Sequence, residues 1–144
     1  MCLIGAYGQD DRVCAYASLA ALLGKTTAPK RTSIVVLADK EEIGSEGVSG
    51  MKSAKFDHLL AALCGNDMAA FNACLDNSLC LSCDVSAAFD PAFAEVYERR
   101  NSAYINGGVS ICKYTGSGGK GGASDASAET IAKLRKAFDL RTEI

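Results

Sequence analysis

The chain has 144 residues, of which 49% are hydrophobic and 22% are charged, and its formal net charge is −2. This composition predicts one compact domain and gives no electrostatic reason to expect nucleic acid or an anionic membrane as a partner. No apolar run of about 20 residues is present, and residues 1–4 (MCLI) lack the basic region of an export signal, so we expect a cytoplasmic protein.

Helix-like and strand-like patterns alternate along the sequence. In chain order, the predicted elements are a helix at 11–23, a strand at 32–38, helices at 53–63 and 67–75, a strand at 79–85, a short helix at 92–99, a strand at 109–114 and a helix at 124–138. Ser124 or Asp125 is the predicted N-cap of the last helix. This alternation predicts an α/β layered fold with a mainly parallel sheet.

The sequence contains seven cysteines. An odd count without an export signal argues against a disulfide framework, so we expect reduced and mostly buried thiols. Cys80 and Cys83 form a CxxC inside a predicted strand. Side chains three residues apart on a strand point to opposite faces, so one metal ion cannot easily bind both sulfurs.

Acidic residues stand where predicted strands end or where the first helix begins. Asp10 and Asp11 open the first helix, residues 39–42 (DKEE) follow the first long apolar run, and Asp84 lies near the end of the next. Ligand sites form at the carboxyl ends of parallel strands, and converging carboxylates need cations to offset their repulsion. Two divalent metals about 3.5–4 Å apart would suit hydrolysis by an activated water. Taken singly, each acid is also explained as a cap, turn or loop residue.

Several of these segments resemble one enzyme family. Residues 37–45 (LADKEEIGS) resemble the DxEEIGS signature of the aspartyl aminopeptidase family, and the similarity continues to residue 51. Residues 8–13 (GQDDRV) resemble the segment that carries its bridging aspartate, and residues 82–91 (SCDVSAAFDP) its second acidic block. Residues 100–108 and 113–116 resemble the branch found in clostridia and related bacteria. The resemblance follows nearly the whole chain in order.

The resemblance implies a three-layer α/β/α zinc-exopeptidase fold of the phosphorylase/hydrolase-like type. It also implies an aminopeptidase that removes N-terminal residues from peptides with two zinc ions, or manganese or cobalt in their place. Asp11 would bridge the metals, Glu42 would bind one of them and Asp84 the other. Glu41 would be the general base that activates the attacking water, and Lys113 would contact the substrate.

Two features of that family have no counterpart. Each metal in the family also takes a histidine, whereas this chain has one histidine, His58, which we expect to be an ordinary residue of a helix. The dimerisation domain that precedes the bridging aspartate in the family is missing. Residues 1–144 therefore resemble an incomplete catalytic domain that is weakly active or inactive alone. The alternative is a degenerate, non-catalytic binding or assembly module; homo-oligomers are expected of the complete enzyme.

A glycine-rich loop suggests a competing function. Residues 116–121 (GSGGKG) satisfy GxGxxG between a predicted strand and a helix. A dinucleotide site also needs a further strand that ends in an acidic residue about 20 residues later, and Asp139 follows no strand. Gly121 after Lys120 excludes a Walker A motif. We therefore interpret this segment as a flexible loop near the active site.

Overall fold

The computed structural model describes residues 3–40, 43, 46–114 and 125–139. The chain divides into two compact units, Met1–Val85 and Ser86–Ile144. The first unit contains the helices α1 (Gln9–Leu23), α2 (Ala54–Leu63) and α3 (Met68–Asp76), and the second contains a 3-10 helix (Pro91–Val96) and α4 (Ala128–Asp139). No helix in the described part of the chain is long and apolar enough to cross a membrane.

Helix α1 opens with two acidic residues whose backbone is not helical. Asp10 has φ −84° and ψ 108°, and Asp11 has φ −117° and ψ 33°, so regular helix geometry begins at Arg12. The helix ends as predicted at Gly24, whose N–H donates to the carbonyl of Ala20 at 2.8 Å. Two carboxylates are thus presented at the very start of a long helix.

Helices α2 and α3 pack against each other in the first unit. The chain reverses between them through Gly65 and Asn66, which both have positive φ (70° and 58°). The Asp67 carboxylate then caps α3 by accepting from the N–H of Ala69 at 2.9 Å. Leu60 on α2 is the buried hydrophobic residue of the described core. Both predicted helices and the break between them are confirmed.

Aromatic residues organise the start of the second unit. The Phe89 ring lies 5.5 Å from that of Tyr97 and 5.3 Å from that of Tyr104, centroid to centroid. The guanidinium of Arg99 lies over the Phe89 ring at 5.3 Å. The Phe89 N–H donates to the carbonyl of Ala103 at 2.7 Å, which joins the two ends of this cluster.

The predicted N-cap of the last helix is wrong. Ser127 caps α4, because its Oγ accepts from the N–H of Thr130 at 3.1 Å. Asp125 instead forms an isolated antiparallel bridge with Tyr114 and an ion pair with Lys113 at 2.5 Å. Ser124, the other candidate, lies outside the described residues.

The three predicted strands do not pair with one another. Within the described residues there is no strand ladder, and the β-type pairings are the isolated bridges Ala88–Ala103 and Tyr114–Asp125. Residues 32–38, 79–85 and 109–113 have no regular secondary structure, and most of their large apolar side chains are exposed. A strand is stabilised by its neighbours, and the described pairing of these segments is limited to the end of the third one, where the Ala126 N–H donates to the carbonyl of Lys113 at 2.8 Å beside the Tyr114–Asp125 bridge. The predicted parallel sheet is therefore not formed in the part of the chain that the structure describes.

The six described cysteines are free thiols, as expected, but the prediction that they are mostly buried is wrong. Cys14, Cys64 and Cys74 are half-buried. The others, which lie on unpaired extended segments, are exposed: Cys80, Cys83 and Cys112. Cys2 lies outside the described residues. The exposed cysteines thus lie on segments that form no strand ladder within the described part of the chain.

Candidate metal centre

Three carboxylates converge in the first unit. Asp10 and Asp11 belong to the non-helical start of α1, and Asp84 lies at the end of the extended segment 79–85. One ligand oxygen from each of the three lies within 4.8 Å of the others. Asp84 also accepts from the N–H of Val85 at 2.7 Å through Oδ1, which fixes the side chain close to its own backbone.

Asp11 is the least solvated member of this group. Its Oδ1 is buried and has no hydrogen-bond partner among the described residues. A buried oxygen of a carboxylate without a partner is costly, and the charges of Asp10 and Asp84 beside it add repulsion. A divalent cation would remove both penalties, so the three residues fit such an ion.

The Cys14 thiol lies one turn further along α1, and its pKa is shifted by the same carboxylates. A hydrogen bond to the Asp11 carboxylate, together with burial, raises the pKa of Cys14 from 9.0 to about 11. The negative charges of Asp11 and Asp84 act in the same direction because they oppose formation of a thiolate. Cys14 is therefore a neutral thiol at neutral pH.

The structure brings together two of the acids predicted from the sequence, Asp11 and Asp84. It adds Asp10, which the sequence argument did not select as a ligand although it precedes Asp11 directly. Glu41 and Glu42, the predicted base and ligand, lie outside the described residues. Their roles stay predictions.

Lys113 lies in the second unit, where its ammonium group pairs with Asp125. Both side chains are exposed, so the pair is a surface ion pair of small energetic value. His58 lies on α2, as the sequence predicted, and its side chain is exposed. The glycine-rich loop at 116–121 lies outside the described residues.

Comparisons with known proteins give a consistent result. The family model described as Aminopeptidase I zinc metalloprotease (M18) matches residues 2–143. The probable M18 family aminopeptidase 1 of Clostridium acetobutylicum is 50% identical over 138 residues, which are 93% of this chain and 30% of that protein. The vacuolar aminopeptidase 1 of Saccharomyces cerevisiae is 32% identical over 114 residues, which are 71% of this chain and 21% of that protein.

A solved structure shows the same relationship in three dimensions. The crystal structure of an M18-family aminopeptidase from Thermotoga maritima matches with a TM-score of 0.83 and 37% sequence identity. The match covers 95% of this chain and 31% of the Thermotoga chain. The chain thus spans about 30% of the length of the bacterial relatives it matches.

Proposed function

The chain belongs to the M18 family of zinc metalloproteases, and from that premise we propose that it carries the carboxylate part of a dinuclear aminopeptidase centre. The reaction is removal of the N-terminal residue from a peptide. The observation that carries this proposal is the convergence of Asp10, Asp11 and Asp84 within a chain that matches the family from residue 2 to residue 143. The proposed fold is the three-layer α/β/α fold of zinc exopeptidases. Residues 1–144 would form part of that catalytic domain.

The proposed ligand roles are those that the family resemblance implies, and the solvation of Asp11 supports them. Asp11, whose buried oxygen has no hydrogen-bond partner among the described residues, would hold both ions, and Asp84 would hold one of them. Glu42 would hold the other. Asp10 adds a third carboxylate on the same side. When bound, the metal ions supply Lewis acidity towards the scissile carbonyl and a nearby water.

Glu41 is proposed as the general base. Its carboxylate would take one proton from the attacking water and pass that proton to the nitrogen of the leaving amine, so that Glu41 is again a carboxylate at the end of the step. The other proton of the water stays on the new carboxyl group of the released residue. Lys113 is proposed to contact the substrate. Its ammonium group pairs with Asp125 in this structure, so it must either break that ion pair or bind Asp125 and the substrate together. The described donors at the centre are all oxygens, whereas zinc sites usually include nitrogen or sulfur. Because these donors alone suit zinc poorly, a non-catalytic binding or assembly module is the second candidate function.

The experiment replaces the matched region of the Clostridium acetobutylicum relative by these 144 residues and assays the chimera on aminoacyl-anilides with zinc. Glu41→Gln should lower turnover on the order of 10²–10⁴-fold while the bound zinc stays unchanged, because an amide cannot accept the proton of the water. Glu42→Gln should instead lower the zinc content. Asp57→Asn, an exposed position on α2, serves as the control and should change neither quantity.

Two results would contradict the proposal. Equal loss of zinc in the Glu41 and Glu42 variants would remove the division of roles between them. A folded chimera that binds zinc at the proposed ligands but has no turnover on any substrate of the panel would favour the non-catalytic module.

A further inference from the structure

Two half-buried cysteines lie on the pair of helices that pack against each other in the first unit. Cys64 is the C-terminal cap of α2, and Cys74 lies inside α3. Leu60 is buried and Ala61 is half-buried one turn before Cys64. Phe71 is half-buried one turn before Cys74. Residues three and four apart share one face of a helix, so each cysteine extends the covered face of its own helix.

The connection between the two helices is short and held by hydrogen bonds. Residues 64–67 join α2 to α3. The N–H of Asn66 donates to the carbonyl of Ala61 at 2.8 Å, and the N–H of Asp67 donates to the carbonyl of Cys64 at 3.4 Å. The turn is thus fixed against the end of α2, and α3 starts beside it. The covered faces that carry the two thiols belong to one helical hairpin.

The two thiols interact directly. Burial raises the pKa of the Cys64 thiol above its ordinary value of 9.0, and the Cys74 thiol raises it further, first through a hydrogen bond and then through its charge when ionised. Cys64 is therefore a neutral thiol at neutral pH. Thiols in hydrogen-bond contact can be brought by side-chain rotation towards the S–S bond length of about 2.05 Å. The pair is placed to form a covalent bond once it is oxidised.

Other pairs of described cysteines are placed less well for such a bond. Cys80 and Cys83 are close in sequence, but side chains three apart on an extended segment point to opposite sides. Cys83 affects the pKa of Cys14 through charge, whereas Cys74 affects that of Cys64 through a hydrogen bond as well. These two pairs are the competitors in the experiment below.

We propose that Cys64 and Cys74 are a dithiol site, which oxidants of the small-molecule disulfide class convert to a disulfide between α2 and α3. The thiolate of one cysteine attacks a sulfur of glutathione disulfide, forms a mixed disulfide and releases one glutathione. The other cysteine loses its proton and attacks the protein sulfur of the mixed disulfide, which releases the second glutathione. The protein loses two electrons and two protons, and the two glutathione molecules gain them.

The test incubates the purified 144-residue chain with glutathione disulfide, blocks the remaining thiols with iodoacetamide and digests the chain with a protease that cleaves before aspartate. Cuts before Asp57, Asp67 and Asp76 place the two cysteines on separate peptides, 57–66 and 67–75. Mass spectrometry should find these two peptides linked at least about tenfold more often than either is linked to any other peptide, because a thiol held nearby has a high effective concentration.

Cys80→Ser is the matched control, because it removes an exposed thiol from the same unit and should leave the yield of the linked peptides unchanged. A Cys80–Cys83 or Cys14–Cys83 bridge in place of the expected linkage would overturn the proposal. So would random linkage of Cys64 and Cys74 to several partners, or their recovery without any linkage.

A second measurement follows the helices instead of the masses. The disulfide closes a short loop in the unfolded chain, so oxidation should lower the unfolding equilibrium constant on the order of 100-fold. Urea unfolding followed by helical circular dichroism measures this change, which should vanish in Cys74→Ser and after reduction with dithiothreitol. Equal unfolding of the oxidised and reduced chains would show that the native hairpin does not accommodate the bond. Neither measurement requires metal or substrate, so both are independent of the proposed function.

Discussion

Asp11 occupies the most constrained position in the candidate centre. One of its oxygens is buried without a partner among the described residues, and its carboxylate is the main cause of the raised pKa of the Cys14 thiol. The sequence identified Asp11 and Asp84 through their place after strand-like runs and through family resemblance. It did not identify Asp10, because two adjacent acids at a helix start are explained equally well as capping residues. The three-dimensional structure brings one oxygen of each of these two residues close to Asp84.

Replacing Asp10 by Asn in the chimera should therefore weaken zinc binding. The substitution removes either a metal ligand or a charge that orients a neighbouring ligand. We therefore expect the zinc affinity to fall by at least about tenfold. Competition with a metal-binding dye measures this change, and Asp57→Asn is the control. An unchanged zinc affinity would show that Asp10 serves the helix start and not the metal.

The pKa of Cys14 gives an independent measure of the charge on Asp11. Removing that charge by Asp11→Asn should lower the pKa of Cys14 from about 11 towards its ordinary value of 9.0. Because the thiolate is the reactive form, alkylation at about pH 9 should become faster by roughly tenfold or more. Mass spectrometry of Cys14 across an alkaline pH series, in the presence of a chelator, measures the rate. Identical profiles for both proteins would refute the assigned cause of the shift.

At the scale of elements, helices were predicted well and strands poorly. The signals for helices are local: Gly24 ends α1, Gly65 and Asn66 separate α2 from α3, and Asp67 caps α3. The start of α4 was misjudged because Ser124, Asp125 and Ser127 offer three nearby caps. Strand formation depends on pairing with another segment, and an apolar run such as 32–38 carries no information about whether that segment is present.

The capping role of Asp67 can be tested on the isolated chain. Asp67→Ala removes the acceptor for the Ala69 N–H and should cost about 1 kcal/mol of unfolding free energy. Urea unfolding followed by helical circular dichroism measures the change. Asn72→Ala, an exposed position inside α3, is the control and should be neutral or slightly stabilising because alanine favours helix. Equal destabilisation by both substitutions would contradict the cap.

At the scale of the whole molecule, the chain matches 31% of the Thermotoga enzyme, and the candidate ligands among the described residues are all carboxylate oxygens. Both observations support the proposal that the metal centre takes further ligands. The sequence predicted the family. It could not predict how much surface stays uncovered, because burial is a property of the assembled fold and not of local pattern.

The central claim is that these 144 residues supply carboxylates to a two-metal centre whose remaining ligands come from elsewhere in the M18 fold. Without nitrogen donors, zinc should be bound weakly and loosely, and the attacking water would not be held within the roughly 3–3.5 Å that reaction requires.

The most direct measurement is hydrolysis of aminoacyl-anilides by the purified 144-residue chain with zinc, manganese or cobalt added, run beside the chimera. The account predicts turnover by the chimera and little or none by the chain alone. Robust turnover by the chain alone, abolished by a chelator and by Glu41→Gln, would contradict it.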